Sequence, residues 1–138
     1  MDDVSEFRDC AGCVCAGVRR AARVVTQHYN RKMRATGLRG TQFSVLTSLA
    51  RRGPMPVSRL AAYLGVERTT LTRNLRPMAT KGWIEIGDSK DRRVRAVAIT
   101  ASGRAMARAA LPAWREAQAT VGPTLKESRL AQLLAAAE

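Results

Sequence analysis

The sequence is poor in aromatics, in acids and in histidine. Phe, Trp and Tyr supply only 4% of its 138 residues. A core must therefore be built from Leu, Val, Ile, Ala and Met. No stretch approaches the ~18–20 uncharged apolar residues that span a bilayer, which excludes a membrane helix. The opening Met1-Asp2-Asp3-Val4-Ser5-Glu6 is acidic and polar, unlike a secretory leader, and predicts a cytoplasmic protein. There are three cysteines, at 10, 13 and 15. An odd number packed so closely argues against a disulfide scaffold. The single histidine, His28, is no metal site by itself. Phosphate-binding glycine loops, paired carboxylates and close His–Cys pairs are all missing. The expectation is a protein without catalytic residues, cofactor or metal; the remaining enzyme reading is a thiol enzyme using Cys10, Cys13 or Cys15.

What the chain does hold is positive charge. Lys and Arg number 24 against 11 Asp and Glu, giving +13, and 46% of residues are hydrophobic. The second figure is that of a folded domain. The first points to a polyanionic partner, nucleic acid above all. Lysine occurs only at 32, 81, 90 and 126, so the rest of the positive charge is arginine. Arginine suits planar, bidentate contacts with phosphate and guanine. Residues 54–104 hold +6 of the +13 and residues 105–138 only +1. That predicts a central polyanion site.

Apolar positions Phe7, Ala11, Val14, Val18, Ala21, Val25, Tyr29 and Met33 recur at three- and four-residue steps and predict one helix over about 5–35. At 1.5 Å per residue it is about 45 Å long, more than a small domain buries. Its excess stripe suits a second copy. Thr41 reads as the cap of a second helix, to about Arg51. A short third helix runs from Val57 to about Leu64, with Gly65 as its C-terminal turn. A fourth runs from near Glu67 to about Lys81, with Pro77 inside it. Trp83–Ile86 and Val94–Ile99 read as two strands. Thr100 caps a fifth helix in which Pro112 predicts a kink or a restart. A last helix follows Gly122-Pro123, with Leu130, Leu133, Leu134 and Ala137 on one face.

Two helices joined by Gly65-Val66 and followed by a hairpin make a winged helix-turn-helix, whose second helix enters the major groove. In the fourth helix Leu71, Leu75 and Met78 form one face. Thr69, Arg73 and Arg76 form the other, with Arg68, Thr70 and Thr72 near the N-terminal end. This outer face has Arg and hydroxyl donors and no carboxylate, which suits insertion into the groove. The hairpin tip carries Lys90, Arg92 and Arg93. An inserted Arg suits a narrow minor groove, and Asp91 is spaced to steady Arg93.

Val57-Ser58-Arg59-Leu60-Ala61, Leu64 through Arg73, and Lys81-Gly82-Trp83-Ile84 resemble the core of the multiple-antibiotic-resistance regulator (MarR) family. Asp88 through Arg93, followed by Ile99-Thr100-Ala101-Ser102-Gly103, resembles that family's wing signature. The resemblance covers nearly the whole chain. It implies a mainly α fold with a small β-hairpin: a single domain whose winged helix-turn-helix lobe, 41–104, is flanked by dimerisation helices at 1–40 and 105–138. It implies a bacterial homodimer that binds double-stranded DNA at a pseudo-palindromic operator and represses transcription until a small molecule or oxidant intervenes. The DNA-contacting set is then Ser58, Arg68, Thr69, Thr70, Thr72, Arg73, Arg76, Lys90, Asp91, Arg92 and Arg93. Pro56 departs from the family's usual Ser or Thr cap.

Cys10, Cys13 and Cys15 read as packing groups, as redox sensors beside Arg8, Arg19 and Arg20, or as thiol ligands shared across a dimer. His28 is either an interface residue or part of an effector pocket, since many relatives bind phenolic or aromatic acids between the dimer helices and the DNA-binding lobe. The rival to a specific regulator is a non-specific architectural DNA- or RNA-binding winged-helix protein.

Overall fold

The computed structural model describes residues 4–88, 90 and 94–137. A 3₁₀ segment, Val4–Gly12, leads into α1 (Val14–Met33). After a 3₁₀ turn, Arg34–Thr36, come α2 (Gly40–Arg52), β1 (Met55–Pro56), α3 (Val57–Leu64) and α4 (Arg68–Thr80). Then follow β2 (Ile84–Ile86), β3 (Ala96–Ile99), α5 (Ala101–Val121) and α6 (Glu127–Ala137). The strands form an antiparallel sheet in the order β1-β3-β2. Ile84 pairs with Ile99, Ile86 with Val97, and Met55 with Val97 from the other side. The expected hairpin thus gains a third strand. β1 is two residues long and contains Pro56, which an edge position tolerates because its outer side needs no donor.

The expected first helix is not continuous. Cys13 turns the chain with φ −57° and ψ 111°. Gly12 and Gly17 flank the break, both weak helix formers. The residues before it are exposed, so no packing compensates. The second helix begins earlier than Thr41. Arg39 is its N-cap, and Asn30 Oδ1 of α1 accepts from Gly40 N at 2.8 Å. Gln42 Oε1 accepts from Arg39 N at 3.0 Å, the half of a capping box that needs no acceptor on Arg. A cap supplied from α1 carries no local signature.

Neither internal proline ends its helix. Pro77 and Pro112 are both exposed, as are Arg73 and Arg108, whose carbonyls lose their helical donor. Water can take that place, so α4 runs to Thr80 and α5 to Val121.

One core joins α2–α5 and the sheet. Phe43, Leu46 and Leu49 of α2 meet Leu60 of α3, Leu71, Leu75 and Met78 of α4, and Trp83, Ile84 and Val97. Each such side chain contributes about 1.5–3 kcal/mol relative to exposure, which fixes the roll of α4 about its axis. α1 crosses α5 in a polar seam. Lys32 Nζ meets Glu116 Oε1 at 2.8 Å, His28 Nε2 lies 3.3 Å from Ala117 O, and Tyr29 Oη donates to Gln118 Oε1. The Lys32 hydrogen bond and charge hold the Glu116 carboxyl below its ordinary range, while burial raises the Tyr29 phenol.

Thr100 ties the sheet to α5. Its Oγ1 accepts from Gly103 N at 3.0 Å and donates to Gly82 O at 2.6 Å. Thr100→Val keeps the shape and removes both bonds. It is expected to cost about 1–2 kcal/mol. Urea unfolding at fixed protein concentration should show a lower midpoint with an unchanged slope. An unchanged midpoint would leave the cap without energetic weight.

Candidate nucleic-acid interface

The turn between α3 and α4 is made by Gly65, at φ +66°. Gly65 N donates to Ala62 O at 3.2 Å and Val66 N to Ala61 O at 3.0 Å, closing the last turn of α3. A residue with a Cβ is strained at that φ, and a longer turn would change the angle at which α4 leaves. Pro56 stands at the N-cap of α3 without a side-chain bond. The strand that contains it supplies the restraint instead: Val57 N donates to Arg95 O at 3.1 Å.

With Leu71, Leu75 and Met78 buried, the opposite face of α4 must point outward. Arg68, Thr69, Thr70, Arg73 and Arg76 are all exposed, and Thr72 is half-buried. Thr72 Oγ1 donates to Arg68 O at 2.9 Å, so this hydroxyl meets a ligand as an acceptor while that bond lasts. Ser58 is exposed in the first turn of α3, and Lys90 is exposed beyond β2. Asp91, Arg92 and Arg93 lie outside the described residues, as does the expected Asp91–Arg93 pairing.

A groove of about 230 Å³ runs between α4 and the sheet, lined by Thr72, Arg76, Asp88 and Arg95 among others. Arg95 lines this groove although the sequence did not single it out. Arg95 sits just before β3 and reads as an ordinary strand residue. Glu67, the N-cap of α4, makes no side-chain cap bond.

The same arrangement occurs in known proteins. The sequence model of the MarR family matches residues 38–94, which contain α2–α4 and β2. The fold is similar to that of the M. tuberculosis transcriptional regulator MosR, solved in complex with DNA, with a TM-score of 0.77 and 41% identity; 89% of this chain and 91% of MosR are covered. The chain belongs to the MarR family. A second MosR structure aligns with a TM-score of 0.78 and 38% identity over 94% of this chain and 93% of that one. An HTH-type transcriptional regulator of Bacillus subtilis (strain 168), YwoH, is 31% identical over 83 residues, or 60% of this chain and 61% of YwoH. The chain thus spans less than two thirds of that relative's length. E. coli MarR, at 21% identity and a TM-score of 0.66, shares the fold.

The other residues singled out in this MarR-family chain lie away from α4. Cys10, Cys13 and Cys15 are free and exposed. Because Cys13 is the break before α1, the three do not share one helical wheel. Cys10 O accepts from Cys13 N at 3.1 Å across the turn. Among the described residues no His, Cys, Asp or Glu cluster is placed to hold a metal ion, and no helix is long and apolar enough to cross a membrane. A cavity of about 570 Å³ opens between α2, α3 and α5, lined by Phe43, Ser44, Thr47, Arg51, Tyr63 and Trp114 among others. Trp114 stacks on Phe43 with ring centroids 5.9 Å apart. His28 does not line this cavity; it faces α5.

Proposed function

We propose that this MarR-family protein is a homodimeric, sequence-specific DNA-binding repressor of a bacterial promoter, acting in the cytoplasm and relieved by a small molecule or an oxidant. One observation carries the reading. The inner face of α4 is locked in the core, so its Arg and Thr face is held outward without a carboxylate on that face. Arg73 and Arg76 offer bidentate donors for guanine or phosphate, and the Thr methyls fit thymine. Ser58, Arg68, Thr69, Thr70 and Thr72 complete the contact on the helix side. Lys90, Asp91, Arg92 and Arg93 belong to the wing, where Arg93 enters the minor groove.

Dimerisation is assigned to residues 1–40 and 105–138, and DNA binding to 41–104. Support comes from apolar side chains that one chain leaves uncovered. Val14 is 71% exposed and Leu134 66%, with Phe7, Val18, Val24, Leu130 and Leu133 also exposed. Patches of this kind mark protein–protein surfaces. Sedimentation should give twice the 15.0 kDa of the chain. Deleting everything after Val121 should weaken or abolish folding, because dimer and fold stability are coupled. A stably folded monomer at micromolar concentration contradicts this architecture.

The signal has two candidate entries. The cavity beside Trp114 and Arg51 suits an aromatic acid, with ring stacking and a cation for the carboxylate. The exposed thiols of Cys10, Cys13 and Cys15 suit an oxidant. Footprinting DNA upstream of the protein's own gene, with and without peroxide or aromatic acids, tests the whole reading. Protection of a two-fold site, abolished by one of these signals, is the expected result. Uniform protection, or none, counts against it.

A further inference from the structure

The charge on this chain is not confined to α4 and the wing. α1 contains no Asp or Glu, yet it holds Arg19, Arg20, Arg23, Arg31 and Lys32. Of these only Lys32 has an ion pair among the described residues, with Glu116 on α5. Where the chain turns from α1 into α2, a cleft of about 490 Å³ is lined by Arg31, Arg34 and Arg39, with Gln27 and Asn30 beside them and no carboxylate in its wall among the described residues.

We propose that this corner is a second anion site, separate from α4, that takes a phosphate oxyanion between the Arg31, Arg34 and Arg39 guanidinium groups. Like charges around one concavity repel each other, and the acid that offsets Lys32 has no counterpart here. Guanidinium groups bind phosphate through paired N–H donors, which a lysine cluster would not do. The neutral wall donates as well. Asn30 Oδ1 accepts from Gly40 N at 2.8 Å, which leaves the Asn30 amide NH₂ as a donor. The cleft wall also holds a fixed bend: Gly37 stands at φ +78°, and buried Leu38 anchors the turn to the core. The site is therefore built from the end of α1, the 3₁₀ turn and the N-cap of α2, and not on one flexible side chain.

The same chemistry has two sources, a phosphodiester of bound DNA or a free phosphate group. The first source rests on the DNA-binding reading; the second does not. The variants are Arg31→Gln/Arg34→Gln and Arg39→Gln. Arg115→Gln is the control, an exposed arginine of α5 outside the cleft.

In the first arm, inorganic phosphate is titrated against chloride at matched ionic strength while thermal unfolding is followed. A free-anion site predicts a saturable rise in Tm for wild type and for Arg115→Gln, absent in the cleft variants. In the second arm, a random-sequence duplex is titrated over a range of salt. A backbone site predicts a log–log slope shallower by about 0.9 for each DNA phosphate that the cleft variants no longer neutralise. A shift in either arm confined to the cleft variants supports the proposal and identifies the source. If neither arm moves, or Arg115→Gln moves them equally, the proposal is overturned. Should wild type bind no duplex at all, the reading of α4 fails, and the phosphate arm still decides the cleft. Without phosphate the cleft variants should be at least as stable as wild type, since repulsion is relieved; this separates loss of the site from loss of the fold.

Discussion

Gly103→Ala is expected to destabilise the protein by about 3 kcal/mol or more. An alanine Cβ there would lie 2.0 Å from Trp83 O, 2.9 Å from the Trp83 carbonyl carbon and 3.0 Å from Ile99 Cγ1. The obstacle is backbone, so no side-chain rotation relieves it. Moving the Trp83 carbonyl would also break its bond from Thr100 N, at 3.1 Å. The glycine of the Thr100-x-x-Gly103 signature is thus a packing requirement: only a residue without Cβ lets α5 lie against the turn that leads into β2. Ser102→Ala, at an exposed neighbour, should stay within about 0.5 kcal/mol of wild type. Urea unfolding decides; equal midpoints for Gly103→Ala and wild type would mean that α5 shifts freely on the sheet.

The second large effect concerns DNA. Arg73→Ala is expected to weaken operator binding by about 1–3 kcal/mol, roughly 5- to 150-fold, and to relax preference at one base position. Because Arg73 is exposed, stability should change by less than about 0.5 kcal/mol. Leu75→Ala, two residues on and buried, should do the opposite in stability, costing about 2–5 kcal/mol. Titration of the footprinted site with each variant, beside urea unfolding, separates the two. If Arg73→Ala binds all positions with unaltered preference, α4 contacts only phosphates or none.

The parts of this fold that are readable from sequence are those whose cause is local. Gly65 after an apolar triplet, the Leu71/Leu75/Met78 spacing and the Thr100 cap each lie within one or two turns of their effect. What sequence misplaces depends on partners far along the chain. α2 begins before Thr41 because Asn30 caps it from α1. β1 exists only because β3 pairs with Met55 and Pro56. Pro112 reads as a kink or a restart because sequence does not say which face of a helix meets water. The α4 face is legible in full, since one helix carries it. Arg95, the Arg31/Arg34/Arg39 corner and the Tyr63–Trp114 cavity are not, because separate elements bring those side chains together.

On this proposal α4 reads base sequence. Its most direct test is competition between the footprinted duplex and random DNA of equal length at fixed salt, with the salt then varied. Base reading by α4 predicts preference for the footprinted duplex by about 10³-fold or more, and affinities that fall steeply as salt rises. Equal affinity for both duplexes would make the protein a non-specific binder, and a log–log salt slope near zero would contradict DNA binding itself.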